Sequence, residues 1–258
     1  MFADQRRKAI QDLLAEKGTV TVNELTGLLN TSAATIRSDL NHMEMQGLLI
    51  RTHGGAIKKD SQEPDLGENN YEIREKKFRA EKQRIGKAAL KFLQEGQCIL
   101  LDASSTCFEF ARYLKDINMK LTVVTSGIST AVMLKENPHL TVIIVGGIVR
   151  NSSNSVEGLL GEELLRKINI DILFTSAYAF NMNDGLTDFS YYEVELKRKM
   201  VAASHKVIAL LDHSKIDKSS FATFAQPEEI DILITDKEVT EEMNHFFNQH
   251  GILFEVAK

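Results

Sequence analysis

Apolar residues in the first part of the chain recur every three or four positions, the spacing that places side chains on one face of a helix. They form three groups: Ile10, Leu13 and Leu14; Val22, Leu25, Leu28 and Leu29; and Ile36, Leu40 and Met43. Gly18 is placed to end the first helix, Ser32 to cap the third, and Gly47 to end it. The pattern predicts three helices, the last two separated by a short connection.

Beyond Gly47 the pattern becomes that of a hairpin. An apolar strand over 48–51 is followed by a glycine turn over 52–55 and a short return through 56–57. Residues 58–71 are polar and cannot bury much apolar surface. We therefore predict an N-terminal domain over 1–57, a linker over 58–71 and a second domain over 72–258.

In the second domain, an amphipathic helix over 73–92 is followed by apolar runs that alternate with helical stretches. The runs are 98–101, 121–124, 142–145, 170–174, 207–211 and 230–234, and the helical stretches include 108–114, 129–134 and 192–203. Continuous apolar strands separated by helices indicate a mostly parallel sheet that is covered on both faces. The predicted fold class is α/β, with a small helix-turn-helix domain preceding the sheet domain.

Charge is distributed unevenly over these domains. The chain carries a net charge of −5, yet residues 1–60 contain eight Lys and Arg against seven Asp and Glu, which leaves −6 on the remainder. This distribution allows contact with DNA through the N-terminal domain alone. The two cysteines, Cys98 and Cys107, form no metal-binding or disulfide pattern, and the sequence has no P-loop and no Gly-x-Gly-x-x-Gly fingerprint, so we expect neither a metal nor a cofactor. With no signal peptide and no run of apolar residues long enough to span a bilayer, we expect a cytoplasmic protein without a membrane partner.

The third predicted helix has the chemistry of a DNA recognition helix. The face opposite its apolar stripe carries Ala34, Arg37, Ser38 and Asn41, with Thr35 beside them. Arginine and asparagine can make bidentate contacts to guanine and adenine, and small residues allow close approach to the major groove. A merely solvated polar face remains the alternative for this pattern taken alone.

The predicted hairpin turn adds groups suited to the DNA backbone. Arg51 ends the strand that follows the recognition helix, and Thr52, His53, Gly54 and Gly55 form the turn after it. Glycine lets a backbone approach a phosphate closely, and arginine neutralises phosphate charge or enters a minor groove. The alternative is an ordinary hairpin turn.

In the second domain, polar residues follow the predicted strands. Asp102 to Thr106 (Asp-Ala-Ser-Ser-Thr) join the first strand to a helix, a place where hydroxyls and backbone amides suit a phosphate, although simple N-capping is the alternative. In open α/β sheets ligands bind beyond the carboxyl ends of the strands. The candidates at such ends are Asp102, Ser104, Ser105, Thr106, Thr125, Ser126, Gly146, Gly147, Arg150, Gly185, Asp212 and Lys215.

Two motifs in the N-terminal domain resemble those of a known family. Thr-Ile-Arg-Ser-Asp-Leu over 35–40, followed by Gly-Leu-Leu-Ile-Arg-Thr-His-Gly-Gly-Ala over 47–56, looks like the signature of the DeoR family of sugar-responsive repressors. The second domain, from Arg79 to Asp236, resembles the sensor domain of the same family, which is similar in fold to ribose-5-phosphate isomerase. The resemblance implies operator DNA as one partner and a phosphorylated sugar or polyol as effector.

The resemblance also implies roles for individual residues. Asp102 would hold sugar hydroxyls, Ser105 and Thr106 the phosphate, and Lys215 an anionic oxygen. Glu193 and Lys197 match family positions, but their spacing of four fits a surface ion pair on a helix equally well. The family often has a second arginine where this chain has Ser38, and it usually has glycine and asparagine at the positions of Ser104 and Ser126. These departures leave the operator sequence and the effector open.

Two other functions compete with a repressor that assembles as a dimer or tetramer. A sugar-phosphate isomerase would use a carboxylate base beside a cation, and Asp102 and Lys215 could form such a pair. A DNA-binding protein that needs no effector would leave most of the chain without a task. We expect a regulator and not an enzyme.

Overall fold

The computed structural model describes residues 3–45, 48–51, 55–58, 71–149 and 154–258. The chain divides into two compact units, Met1–Asn69 and Asn70–Lys258. Residues 59–70, most of the predicted linker, lie outside the described residues. No helix in the described ranges is both long and apolar enough to cross a membrane.

The N-terminal unit contains three helices and a small sheet, as the pattern predicts. Its helices are α1 (Ala3–Lys17), α2 (Val22–Leu29) and α3 (Ala33–Met45), and its strands are β1 (Thr19–Thr21), β2 (Leu49–Arg51) and β3 (Gly55–Lys58). The strands are antiparallel in the order β1-β3-β2. Strand β1 has only three residues, too few to show a periodic pattern, so sequence analysis missed it.

The residues that the helical spacing selects contribute to the core of this unit, except Leu28, and Val20, Leu49 and Ala56 of the strands complete it. Leu28 is 58% exposed, whereas Leu25 is fully buried. Leu28 lies about 60° around the helix from Leu25, on the side away from Val22. The helix begins with a capping box, because Thr21 and Glu24 each accept a hydrogen bond from the other's backbone amide.

The second unit is built on a seven-stranded parallel sheet. Its strands are β4 (Cys98–Leu101), β5 (Leu121–Thr125), β6 (Leu140–Ile144), β9 (Ile172–Thr175), β12 (Val207–Leu210), β14 (Ile232–Thr235) and β15 (Leu253–Val256), in the order β15-β14-β12-β9-β4-β5-β6. Ile99 and Leu101 of β4 pack in the hydrophobic core on one face of the sheet, and Leu100 between them packs in the core on the other face. The mostly parallel sheet with two covered faces is confirmed.

Helices cover both faces of this sheet. They are α4 (Tyr71–Lys76), α5 (Arg79–Ala89), α6 (Ser105–Leu114), α7 (Ile128–Leu134), α8 (Glu162–Lys167), α9 (Tyr191–Ala202) and α10 (Glu241–Gln249). The single helix predicted over 73–92 is wrong, because the chain turns at Phe78, which has a φ of 52°. Tyr71, assigned to the linker from its sequence, is the first residue of α4.

In the described part of the second unit, five short strands lie outside the large sheet. Strands β7 (Ile148–Val149) and β8 (Val156–Glu157) form one antiparallel pair. Strands β10 (Ala179–Asn181) and β11 (Gly185–Asp188) form a hairpin that β13 (Ala222–Ala225) extends. This second small sheet packs on the same face of the large sheet as α9 and α10.

Candidate functional site

The outward face of α3 carries the small and polar residues that sequence analysis assigns to DNA contact. Ile36, Leu40 and Met43 are fully buried, so the opposite side of the helix faces solvent. Ala34, Arg37, Ser38 and Asn41 are exposed, and Thr35 is half-buried. The Ser32 hydroxyl accepts a hydrogen bond from the Thr35 amide at 3.2 Å and caps the helix, as predicted.

A buried ion pair fixes α3 against α1. Asp39 accepts from Arg6 Nε at 2.5 Å and from Arg7 Nε at 3.0 Å. Asp39 lies three residues after Ile36 and four before Met43, so its side chain enters the apolar stripe of the helix. A charge in that position needs a partner, and this is the signal that sequence analysis overlooked.

The structure gives Gly55 a role in packing. Its position in β3 is buried, and a Cβ atom there would lie 1.9 Å from the Val20 carbonyl oxygen of β1. The absence of a side chain is therefore required within the unit itself, and close approach to a phosphate is not needed to explain this glycine. The Arg51 backbone pairs with Ala56. The Arg51 side chain, His53 and Gly54 lie outside the described residues.

In the second unit, the strand order reverses between β4 and β9. From β4 the sheet continues through β5 and β6 on one side, and from β9 it continues through β12, β14 and β15 on the other. The loops that leave β4 and β9 therefore separate and open a crevice at their carboxyl ends. Asp102 follows β4, and Thr175 and Ser176 end and follow β9 at the same place.

Asp102 joins these two loops. Its Oδ1 accepts from the Ser104 amide at 2.9 Å, and its Oδ2 accepts from Thr175 Oγ1 at 2.7 Å and from the Ser176 amide at 2.9 Å. Burial opposes its charge, but Lys197 and these hydrogen bonds hold the pKa of Asp102 below its ordinary value. With both oxygens engaged and 1% of its surface exposed, Asp102 fixes the geometry of the loops.

Lys197 is buried beneath the same crevice and contacts three carboxylates. Its Nζ lies 2.8 Å from Asp188, 3.3 Å from Asp102 and 3.5 Å from Glu193. Burial works against the ammonium, but the three carboxylates raise the pKa of Lys197 above its ordinary value. Lys197 is 3% exposed, so the interpretation as a surface ion pair is wrong. Burial raises the pKa of Glu193 despite the charge of Lys197.

The N-terminus of α6 opens into this crevice. Ser104 caps the helix by accepting from the Cys107 amide at 3.2 Å, which is the N-capping alternative for this residue. Ser105 and Thr106 occupy the first turn, where backbone amides have no partner within the helix. Thr106 Oγ1 lies 3.4 Å from Ser176 Oγ. Hydroxyls and a helix N-terminus therefore meet at one point, an arrangement suited to an anion.

The candidates that follow β5 and β6 lie at the same edge of the sheet. Thr125 Oγ1 accepts from the Gly127 amide at 3.0 Å, and the Ser126 amide donates to the Leu101 carbonyl at 3.3 Å. Gly147 allows close packing, because a Cβ atom there would lie 2.4 Å from the carbonyl oxygen of Glu157. Gly146 follows β6 beside it, and Arg150 lies outside the described residues.

A row of two cations and two rings connects distant parts of the second unit. Lys215 Nζ lies 4.8 Å from the ring of Tyr178, whose ring lies 5.3 Å from that of Phe189. On the far side, the Arg74 guanidinium lies 5.4 Å from the Phe189 ring. Lys215 and Arg74 of α4 therefore lie at the two ends of one row of contacts. Sequence analysis did not consider Arg74.

Two further candidates have local structural roles. Asp212 Oδ1 accepts from the amide and hydroxyl of Ser214 and begins the turn that carries Lys215. Gly185 has a φ of 67°, and a Cβ atom there would lie 2.2 Å from the Ala225 carbonyl oxygen. The conformation of the hairpin therefore requires glycine at position 185. The same hairpin carries Asp188, which accepts a hydrogen bond from Lys197.

Several residues of the crevice were missed from sequence. Thr175 and Ser176 follow a predicted strand, so the rule that selected Asp102 should have selected them too. Asp188 and Arg74 gave no such signal, because neither follows a strand of the large sheet. Only the folded chain brings them to Lys197 and Phe189.

Comparison with known proteins gives matches to both units. The DeoR-like helix-turn-helix domain model matches residues 6–62, and the model of the DeoR C terminal sensor domain matches residues 77–237. The HTH-type transcriptional regulator GolR of Listeria innocua is 40% identical over the whole of both chains. A putative aga operon transcriptional repressor of Escherichia coli O157:H7 is 30% identical over 96% of this chain and 91% of its own.

Among solved structures, ribose 5-phosphate isomerase A from Methanocaldococcus jannaschii shares 15% identity with this chain. The match covers 54% of this chain and 55% of the isomerase, with a TM-score of 0.41. A similarity at this level carries no inference about activity.

Proposed function

The chain belongs to the DeoR family of transcriptional regulators, and from this premise we propose that it represses carbohydrate-metabolism genes until a phosphorylated sugar or polyol releases it from its operator. It is a DNA-binding regulator with an N-terminal helix-turn-helix and a C-terminal sensor domain. The proposal covers three points: that the protein is a repressor, that its effector is a phosphorylated sugar or polyol, and which residues bind the DNA and the effector.

The observation that carries the proposal is the crevice at the N-terminus of α6. Asp102 and Lys197 hold its two loops together through buried bonds, and Ser105 and Thr106, which are largely buried, lie in the first turn of α6 beside them. A helix N-terminus with nearby hydroxyls favours a phosphate that carries a polyhydroxylated chain. Ser105, Thr106 and Lys215 are the proposed contacts to the anionic end.

For Asp102 the structure supports a different role from the one that the resemblance implies. Both carboxylate oxygens already accept hydrogen bonds from the loops. We therefore assign Asp102 to positioning the loops, and leave the recognition of sugar hydroxyls to other groups of the crevice.

The same burial disfavours the isomerase alternative. A catalytic base must reach a proton on the substrate, within hydrogen-bonding distance. Asp102 is almost fully buried and paired with Lys197, so it is poorly placed for proton abstraction. Interconversion of a sugar phosphate by the purified chain would instead support an enzyme.

The direct test is release of operator DNA. Fluorescence anisotropy of a labelled operator fragment, bound to the purified chain, would be followed during titration with phosphorylated sugars and polyols. Each compound would be paired with its unphosphorylated parent. We expect at least one phosphorylated compound to release the DNA and its parent to fail. If no phosphorylated compound changes operator binding, the proposed effector class is wrong.

Thermal shift provides an independent readout of the same ligands. A ligand that binds only the native state raises stability by RT ln(1 + [L]/Kd), about 2.7 kcal/mol at a hundredfold excess over Kd. The compound that releases the operator should therefore also raise the melting temperature of the sensor unit.

A further inference from the structure

The second unit contains a group of buried hydrogen-bond donors that have no partner. Within the described residues, Tyr71 Oη, Arg74 Nε and Asn154 Nδ2 are buried and form no hydrogen bond of ordinary geometry. Leaving a buried donor unpaired is unfavourable, so a native protein rarely contains several of them together. Three unpaired donors in one region therefore call for an acceptor.

The three donors are neighbours. The Asn154 side chain lies within hydrogen-bonding reach of the Tyr71 hydroxyl, an interaction that acts to lower its pKa, and the charge of Arg74 acts in the same direction. Burial outweighs both and raises the pKa of Tyr71, so the hydroxyl keeps its proton at neutral pH. The group is therefore composed of a phenol, a guanidinium and an amide that all have hydrogens to donate.

This group borders the crevice described above. The Arg74 guanidinium lies 5.4 Å from the ring of Phe189, which directly follows Asp188 in the chain. Burial raises the pKa of Glu193, one of the three carboxylates around Lys197, and the charge of Arg74 opposes part of this rise. On the other side, Asn154 Oδ1 accepts from the Ser129 amide at 3.0 Å, in the first turn of α7. The donors thus lie between Lys197 and the N-terminus of α7.

A ligand that binds these three donors is expected to carry a negative charge. Arg74 forms no ion pair with any described carboxylate, whereas Asp102, Asp188 and Glu193 are all occupied by Lys197. Phosphate oxygens accept hydrogen bonds without offering any, and a guanidinium binds them with a charge-assisted bond. A carbonyl or hydroxyl ligand would leave the charge of Arg74 without a partner.

We propose that Tyr71, Arg74 and Asn154 form an anion subsite that binds phosphate oxygens of the effector. This proposal rests on the proposed function, because it assumes that the effector is a phosphate ester. It adds residues from α4 and from the segment after β7 to the contacts at the N-terminus of α6.

The position of α4 gives the subsite a regulatory consequence. Helix α4 is the first described element after residues 59–70, which connect it to the DNA-binding domain in the chain. Its C-terminal end is held by Lys82, whose Nζ donates to the carbonyls of Arg74 and Lys77. An effector that binds Tyr71 and Arg74 also fixes the first turn of this helix. Effector binding is thereby linked to the point where the connecting segment begins.

The test uses the full-length chain and inorganic phosphate as probe, with binding measured by broadening of the phosphorus-31 resonance. Arg74→Gln removes the guanidinium, and Tyr71→Phe removes only the hydroxyl. Arg166→Gln on α8 and Tyr113→Phe on α6 are matched controls outside the subsite. We expect the affinity for phosphate to fall about tenfold or more in Arg74→Gln and about three- to tenfold in Tyr71→Phe, with both controls equal to wild type.

Stability of the unliganded protein provides a second readout. If the Tyr71 hydroxyl is unpaired without a ligand, Tyr71→Phe should melt at or above the wild-type temperature, since no hydrogen bond is lost. A clear fall in melting temperature would mean that the hydroxyl already has a partner in the protein, and would overturn the proposal. So would wild-type phosphate affinity in both variants.

Operator release separates this inference from the proposed function. If a phosphorylated sugar releases wild-type protein and both variants at the same concentration, the subsite is wrong and the effector class stands. If neither inorganic phosphate nor any phosphorylated compound binds the wild-type chain, both proposals fail. The result we expect is release of the variants only at about tenfold higher concentration of the active compound.

Discussion

Charged side chains in this chain serve two purposes, which are distinguished by their partners and burial. Asp39, Asp102 and Lys197 are buried and paired, so their charges fix elements in place. Arg37 is exposed on α3, and Lys215 is half-buried beside Tyr178. Arg37 and Lys215 therefore retain contact with solvent, and we expect Arg37 to bind DNA and Lys215 to bind the effector.

Arg37 provides the first test of this distinction. Arg37→Ala should weaken binding to the cognate operator by roughly 1–3 kcal/mol and relax base preference at one position, because a bidentate contact to a base edge is lost. Binding would be measured by anisotropy at one fixed salt concentration, with Arg166→Ala as a control. Unchanged operator affinity in Arg37→Ala would contradict the assignment.

Lys215 tests the other end of the regulatory coupling. Lys215→Ala removes a charge-assisted contact of about 1.5–3 kcal/mol and should weaken effector binding by roughly ten- to hundredfold. The DNA-binding face is unaltered, so operator affinity without effector should stay close to normal. The variant should therefore hold its operator at effector concentrations that release wild type. Lys218→Ala, an exposed lysine three residues further on, serves as control, and equal release of Lys215→Ala and wild type would rule out the contact.

At the scale of elements, the order of the strands determines where the loops of the sheet lie, and hydrogen bonds from Lys82 hold α4 in position. The carboxyl ends of β4 and β9 bring the Asp102 and Ser176 loops together, as the strand order requires. Helix α4 has only six residues and is too short to be stable alone. The buried Lys82 ammonium joins it to α5 by donating to the carbonyls of Arg74 and Lys77.

The environment of Lys82 predicts a dependence of stability on pH. Burial, opposed by the charge of Asp212 and assisted by those of Lys215 and Arg74, lowers the pKa of Lys82 from 10.5 to about 8. Between these values the unfolded chain binds a proton that the folded chain has released, so a rise in pH favours the folded state. Relative to Lys82→Met, the wild-type protein should therefore gain about 2–3 kcal/mol between pH 7 and pH 10.5.

Melting temperatures of both proteins at half-unit steps of pH would check this expectation. The comparison with Lys82→Met removes the contribution of the other titrating groups, which both proteins share. A difference in melting temperature that does not change over this range would contradict the lowered pKa.

At the scale of the whole molecule, one DNA-binding domain is too small for tight specific binding, which predicts an oligomer. Single modules of this kind bury limited DNA surface, and helix-turn-helix proteins usually bind two related half-sites as dimers. The N-terminal residues are largely used by their own core and by the face of α3. We therefore expect the second unit to supply the contact between copies.

Light scattering on residues 70–258 and on the full chain would measure this directly. Both should give the mass of a dimer or tetramer at micromolar concentration. A monomeric second unit together with a dimeric full chain would move the interface to the N-terminal domain or the linker.

Local patterns in the sequence predicted the three helices of the first unit and six of the seven strands of the parallel sheet. Helical spacing identified the buried residues of α3 and, as its opposite face, the exposed positions of Arg37 and Asn41. Continuous apolar runs identified strands of the parallel sheet, and the rule about strand ends identified Asp102 and Ser105. Such inferences succeed because side-chain direction within one helix or strand follows from residue spacing alone.

Only the tertiary structure decided which of these residues are available to a ligand. Asp102 and Lys197 look like exposed functional groups in the sequence, but the fold buries them against Ser176 and Asp188, far apart in the chain. The same fold brings Arg74 to Phe189 and leaves it without an ion pair among the described residues. The physical reason is that burial and ion pairing depend on contacts between distant segments, which no local period encodes.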